Sequence, residues 1–243
     1  MSAYPLVVLL VSLAFGAAVL RQYLRRRRPY QLIWAASLAM AAGGSLAYIV
    51  FLSGGKSELA FRLYYILGAL LMPTYLGMGS LMLAARSDRA KARVRWVLYA
   101  LLVASAAGIV VLLTNPIDTR VLHDLNGGPG TGVYKPGPFL LFTITFNTLG
   151  VLAVVGVAAY SAWQLRARQD FGRLIRANAL IAAGDLTIGA AGSLARLGAG
   201  GGFWLTMAVG WVIIFWGFLL TFNVQQRSAP VPARAGSAVP SCA

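Results

Sequence analysis

The sequence predicts an all-α integral membrane protein, a bundle of seven transmembrane helices. Three observations carry that expectation. Hydrophobic residues make up 59% of the 243 and charged residues only 11%, whereas a soluble domain carries about 25% charged residues. Seven stretches are apolar over about 20 residues each, the length that crosses a hydrocarbon core about 30 Å thick at about 1.5 Å per residue. The basic residues fall in short runs between those stretches, as they do when topology holds them on one side of a bilayer. Soluble Rossmann, sandwich and barrel enzymes are excluded, because no soluble fold hides so much apolar surface.

The seven spans cover about 3–23, 30–52, 60–84, 96–114, 138–162, 177–197 and 203–223. Residues 1–223 are thus expected to form one transmembrane domain. Residues 224–243, rich in Pro, Ala and Ser, are expected to be a disordered cytoplasmic tail. The first span lacks a basic leader, and Arg25 to Arg28 follow it directly; this is the pattern of an uncleaved span with its N-terminus outside. The third span carries Pro73, which removes a backbone donor and predicts a kink beside Tyr75. The sixth is poor in bulky residues (Ala182, Ala183, Gly184, Gly189, Ala191, Gly192, Ser193), so it is expected to pack closely and to sit centrally. The seventh contains no lysine and therefore has no partner for a Schiff base.

Orientation follows from counting Lys and Arg. Sixteen fall on the side of Arg25–Arg28, of Arg86 to Arg95 and of the tail, and five on the other. This predicts an outside N-terminus, a cytoplasmic C-terminus and residence in the cell (inner) membrane. The 18 Arg against 3 Lys, with abundant Ala and Gly, match the composition of a GC-rich bacterial genome.

An internal repeat is also suggested. Ala42-Gly43-Gly44-Ser45-Leu46-Ala47 and Ala190-Ala191-Gly192-Ser193-Leu194-Ala195 match at five of six positions, at an offset of 148. Spans one to three would then repeat in parallel as spans five to seven, with span four as the inverting linker (3+1+3). The alternative is coincidence between two Ala/Gly-rich helices.

The most informative polar group is Asp185, about 13 Å along the sixth span from Arg176 at the helical rise. Leaving a charge there costs several kcal/mol. The carboxyl is therefore neutral, hydrogen-bonded to neutral partners, or wet. Asn147, Tyr75 and Ser37 lie at similar depth and are its candidate partners in a substrate- or proton-binding site. Alternatively, Asp185 is a polar staple between helices. Toward the outside, Glu58, Arg62 and Arg196 are candidates for an outer gate that binds a carboxylate or phosphate. Glu58 and Arg62 could equally be an ordinary exposed pair, being four residues apart.

The single cysteine, Cys242, and single histidine, His123, exclude an intramolecular disulfide, a bis-histidine haem and Cys/His metal clusters. No cofactor and no metal site are expected. Asp118, His123 and Asp124 share a Gly/Pro-rich loop that offers a metal no fixed geometry. The glycines of 126–132 lack the Gly-Lys-Ser/Thr ending of a phosphate loop; the segment is either a lid or a plain connector.

The function these features suggest is a small carrier or permease for an unidentified small molecule, coupled to protons through Asp185. The alternative is a sensor or accessory subunit that binds a lipid or small ligand and acts through a membrane partner. Asp185 has no second acid at its depth, so an enzyme is not expected. The expected partners are the lipid bilayer and the small molecule or lipid, with a homo-oligomer left open and nucleic acid excluded. Receptors and 3+1+3 carriers share a seven-helix layout, so layout alone decides nothing.

Overall fold

A computed structural model describes residues 3–166, 172–198 and 200–227; the tail expected at 224–243 lies, from residue 228 onward, outside the described residues. The helices are α1 (Tyr4–Arg26), α2 (Pro29–Ser53), α3 (Glu58–Ala84), α4 (Asp88–Thr114), α5 (Thr119–Asp124), α6 (Phe139–Leu165), α7 (Gly172–Arg196) and α8 (Phe203–Arg227). Seven are long and apolar enough to cross a membrane, the short α5 being the exception. Among the described residues, the extended structure is one isolated β-bridge, Ile117 to Tyr134.

Local chemistry sets the helix ends. Arg27, in the left-handed region at φ 52°, closes α1 with its N–H on the Tyr23 carbonyl, and Pro29 opens α2 in the first turn, where its missing N–H costs nothing. The helix α4 begins at Asp88, about two turns earlier than hydropathy alone places the span. The Ser87 hydroxyl accepts from the Ala90 N–H at 3.2 Å, and this cap lets the basic stretch 89–95 join the helix.

The helix α3 is irregular where Pro73 predicts a kink. Residues Tyr65–Leu71 form a π-helical segment that leads into Met72 and Pro73. Pro73 cannot donate to the Ala69 carbonyl, and the Asn147 amide of α6 donates to it instead at 2.5 Å. The Ser37 hydroxyl of α2 donates to the Met72 carbonyl at 2.7 Å, and Thr74 donates to the Phe146 carbonyl at 2.9 Å. Asn147 thus serves the carbonyl that the break frees, the condition for tolerating one at membrane depth, while the Ser37 and Thr74 bonds tie the broken helix to α2 and α6.

Six helices close a ring in the order α1, α2, α3, α6, α7, α8 and back to α1, while α4 lies outside it against α3 and α6. The stripe Leu101, Ser105, Gly108 and Leu112 is the buried side of α4. Glycines set the closest approaches. A Cβ on Gly184 of α7 would come within 2.8 Å of the Gly210 carbonyl of α8, and one on Gly217 within 2.9 Å of the Ala177 carbonyl. Between α3 and α6, a Cβ on Gly77 would lie 2.7 Å from the Gly150 carbonyl.

The expectation of a central sixth span is not met. The helix α3 is the most enclosed, with 67% of its apolar window buried, against 22% for α7. The small residues of α7 are not all spent on packing: Gly184 meets α8 and Gly189 meets Val151 of α6, whereas Gly192 has nothing within 4 Å of a Cβ position.

Candidate functional site

The end of the bundle opposite the arginine-rich turns is built from aromatic rings. Tyr48 of α2 lies 4.8 Å from Tyr64 and 4.5 Å from Trp204, centroid to centroid, and Phe61 lies 5.0 Å from Tyr65 and 5.8 Å from Tyr134. Such pairs contribute about 0.5–1.5 kcal/mol each beyond the area they bury.

Three of these tyrosines hold the glycine-rich loop. The Tyr48 hydroxyl donates to the Gly128 carbonyl at 2.5 Å, Tyr64 to that of Pro129 at 3.4 Å, and Tyr65 to that of Gly130 at 3.1 Å. Three successive backbone acceptors are thereby served by one aromatic cluster. Gly130 has φ +73°, and a Cβ there would lie 2.6 Å from the Phe61 ring, so both backbone sign and space demand glycine. Lys56 fastens the loop from outside, donating to the His123 carbonyl and to Asn126 Oδ1. Asp118 caps α5 through the Arg120 and Val121 N–H groups. Tyr134 is wedged beneath, and burial pushes its phenol up to about 12, with the nearby Arg62 guanidinium pulling the other way.

Under this loop the ring encloses a cavity of about 160 Å³. Its roof is Pro129 and Thr131; its walls include Tyr64, Tyr65 and Met72 of α3 and Trp204, Met207 and Trp211 of α8. Polar wall groups come from Ser45, Thr143, Asn147, Ser193 and Arg196. Arg196 is the one charged residue among the described lining residues, and it donates to the Thr143 hydroxyl at 3.2 Å. No ion pair holds it among the described residues.

The residues singled out in the sequence take different places. Asn147 and Arg196 line the cavity, but Asp185, Tyr75, Ser37, Glu58 and Arg62 do not. Asp185 is buried at 4% exposure, one helical turn below the lining residues Ile188 and Gly189, and its Oδ2 has no hydrogen-bond partner among the described residues. Its three candidate partners are engaged elsewhere. Asn147 donates to Ala69 and Thr143 carbonyls, Tyr75 reaches the Ser105 hydroxyl at 3.3 Å, and Ser37 serves Met72. Glu58 pairs with Arg62 at 2.8 Å, and Arg62 also donates to the Leu112 and Asn115 carbonyls, bracing α3 against the end of α4. No ion pair joins Arg196 to Glu58 among the described residues.

No family model matches this sequence, and no curated protein or solved structure matches it. The functional reading therefore rests on the geometry of the site.

Sequence reasoning did not assemble the tyrosine grip on the loop. The available signal was Tyr48, Tyr64 and Tyr65 near the ends of spans bordering a glycine run; end-of-span aromatics read first as interfacial anchors. His123 contributes only its backbone carbonyl to the Lys56 contact. Among the described residues no three His, Cys, Asp or Glu side chains converge on a metal position.

Proposed function

We propose that this protein is a small carrier whose substrate site is the cavity between two three-helix halves, α1–α2–α3 and α6–α7–α8. The observation that carries the reading is a matched pair of cavity walls. Ala41, Gly44 and Ser45 of α2 line the cavity, and so do Gly189, Gly192 and Ser193 of α7, each pair related by the offset of 148. A second correspondence supports it. Tyr64, Tyr65, Gly68 and Met72 of α3 and Phe203, Trp204, Met207 and Trp211 of α8 line the cavity at the same spacing, i, i+1, i+4 and i+8, at an offset of 139, nine short of that between α2 and α7. The helix α4 stands outside the ring, where a linker that inverts the second half belongs. Substrate sites at the interface of structural repeats, beside a broken helix, are the architecture of alternating access.

In this reading the arginine-rich end faces the cytoplasm of the inner membrane, by the asymmetry of Lys and Arg, and the loop over Pro129 and Thr131 faces outward as a gate. Asp185, buried beneath the cavity floor without a partner for its Oδ2, is the group that couples the site to protons as the far side opens. The competing reading is a sensor with the same pocket, open to one side only.

Cysteine accessibility separates them without a known substrate. Ser45→Cys in a Cys242→Ser background places one thiol on the α2 wall of the cavity. A carrier exposes that thiol to a membrane-impermeant methanethiosulfonate in both right-side-out and inverted vesicles. Labelling from one face only overturns the carrier and leaves the sensor.

A further inference from the structure

The exposed lining of the cavity lies at Thr131 of the loop above it and between α6 and α7. These helices touch toward the arginine-rich end, where Asn178 donates to the Ser161 hydroxyl at 3.3 Å and a Cβ on Gly189 would lie 3.0 Å from Val151. One turn further, a Cβ on Gly192 would meet nothing within 4 Å. Beyond it, the lining residues Ile144 and Thr148 of α6 and Ser193 and Arg196 of α7 are all exposed, Ile144 at 49%. The hydrogen bond from Arg196 to Thr143 is the described polar bridge across this gap.

A gap between two membrane-crossing helices opens onto hydrocarbon rather than water. What enters sideways must therefore carry apolar surface. At the rim stands Arg196, whose guanidinium has five donors and is bonded here to one hydroxyl. A guanidinium without an ion pair among the described residues, at the outer end of α7, favours an anionic head group, because charge-assisted bonds to carboxylate or phosphate are about twice as strong as neutral ones. From Arg196 to Ile188 along α7 is eight residues, about 12 Å, and the walls include Met72, Met207 and Trp211 beside the polar Ser45, Asn147 and Thr148. A cavity of about 160 Å³ matches the size of one that binds a single benzene ring, so it takes a segment of one chain, the rest lying in the opening between α6 and α7.

Resting on the carrier reading for its site, we infer that the cavity takes a single-chain anionic amphiphile, admitted laterally between α6 and α7, with its carboxylate or phosphate head on Arg196 and its chain against Trp211. The amphiphile belongs to the membrane phase, so the loop above the cavity need not open for it.

The test uses the full chain in phosphatidylcholine nanodiscs and ω-bromoundecanoate, whose terminal bromine quenches tryptophan on contact. Wild type is expected to show saturable quenching that ω-bromoundecanol, with the same chain and no charge, does not reproduce. Arg196→Gln should require about tenfold more probe, the loss expected for one charge-assisted hydrogen bond. Gly192→Leu, which fills the opening without touching the charge, should abolish saturable quenching while melting like wild type; Gly192→Ala should bind normally. Competition by dodecanoate but not dodecyl phosphate, or the reverse, identifies the head group, and either supports the proposal. It is overturned if the alcohol quenches as saturably as the acid, or if Arg196→Gln binds as tightly as wild type. The two proposals fail separately. An amphiphile bound by a cavity labelled from one face removes the carrier and keeps the site; two-sided labelling without saturable quenching removes the amphiphile and keeps the carrier.

Discussion

Asn147 is expected to be coupled energetically to Pro73, seventy-four residues earlier in the chain. Pro73 has no N–H to give the Ala69 carbonyl, and Asn147 supplies one from α6 at 2.5 Å. Asn147→Leu keeps approximate size and removes the donor. An interhelical hydrogen bond in a membrane protein is worth about 0.6 kcal/mol on average and up to about 1.7, and stranding a buried acceptor adds about 1–3. A loss of about 2–5 kcal/mol is therefore expected in the wild-type background. In Pro73→Ala the backbone regains an N–H at the position four residues after Ala69, so the Asn147 donor becomes partly redundant. The same Asn147→Leu change should then cost about 1 kcal/mol less. Asn147 also donates to the Thr143 carbonyl at 2.7 Å within its own helix, but Pro73 does not affect that bond, so it cancels in the cycle. Equilibrium unfolding in mixed micelles by added sodium dodecyl sulfate, followed by helical circular dichroism, measures all four proteins. If Asn147→Leu costs the same in both backgrounds to within about 0.3 kcal/mol, the limit of additivity for independent sites, the assignment of Asn147 to the Pro73 break is wrong.

Glycine positions give a sharp contrast. Gly184→Val should lower stability by about 1–3 kcal/mol, the usual range for overpacking, because even its Cβ would lie 2.6 Å from Ile214 Cγ1, whereas Gly192→Ala should melt within about 0.5 kcal/mol of wild type. Tyr48→Phe with Tyr65→Phe should free two of the three loop carbonyls, visible as faster amide hydrogen exchange over residues 125–133 with little change in the α7–α8 interface; equal acceleration in both places would show that the tyrosines hold the whole fold rather than the loop. Burial raises the Tyr134 phenol above its ordinary 10.0 to about 12, so its neutral form is favoured in the folded state. That contribution is complete below pH 10 and is lost as pH rises from 10 to 12; Tyr134→Phe should flatten the fall in melting temperature across that window. Asp185→Asn should melt no lower than wild type, since Asp185 Oδ2 has no partner to lose, and a drop of several degrees would show the carboxylate to be a structural staple.

Much of the architecture was legible in the residues alone. Seven apolar stretches became seven helices long enough to cross a membrane, and the Pro73 break appeared where the missing donor demanded it. The boundaries moved where a signal other than hydropathy decided them, as at α4, where the Ser87 cap extended a helix into charged residues. The candidate site was less legible. Depth along a helix can be counted from sequence, and it brought Asp185, Asn147, Tyr75 and Ser37 to one level. The direction each side chain faces around the ring cannot be counted, and the hydrogen bonds of Asn147, Tyr75 and Ser37 run instead to Ala69, Ser105 and Met72. Small residues in α7 predicted close packing correctly at Gly184 but not a central position, because smallness permits contact without saying on which flank.

By itself the sequence determined the all-helical class, the seven helices long and apolar enough to cross a membrane and the asymmetry of basic charge, because each is a sum over neighbouring residues. The tertiary structure alone decided that Tyr48, Tyr64 and Tyr65 share one loop, that Arg196 stands at the rim of a cavity and that Asp185 lies beneath its floor. Those facts depend on how helices far apart in the chain are rotated and spaced, and glycine contacts between elements, such as Gly184 with Gly210 and Gly77 with Gly150, set that rotation and spacing.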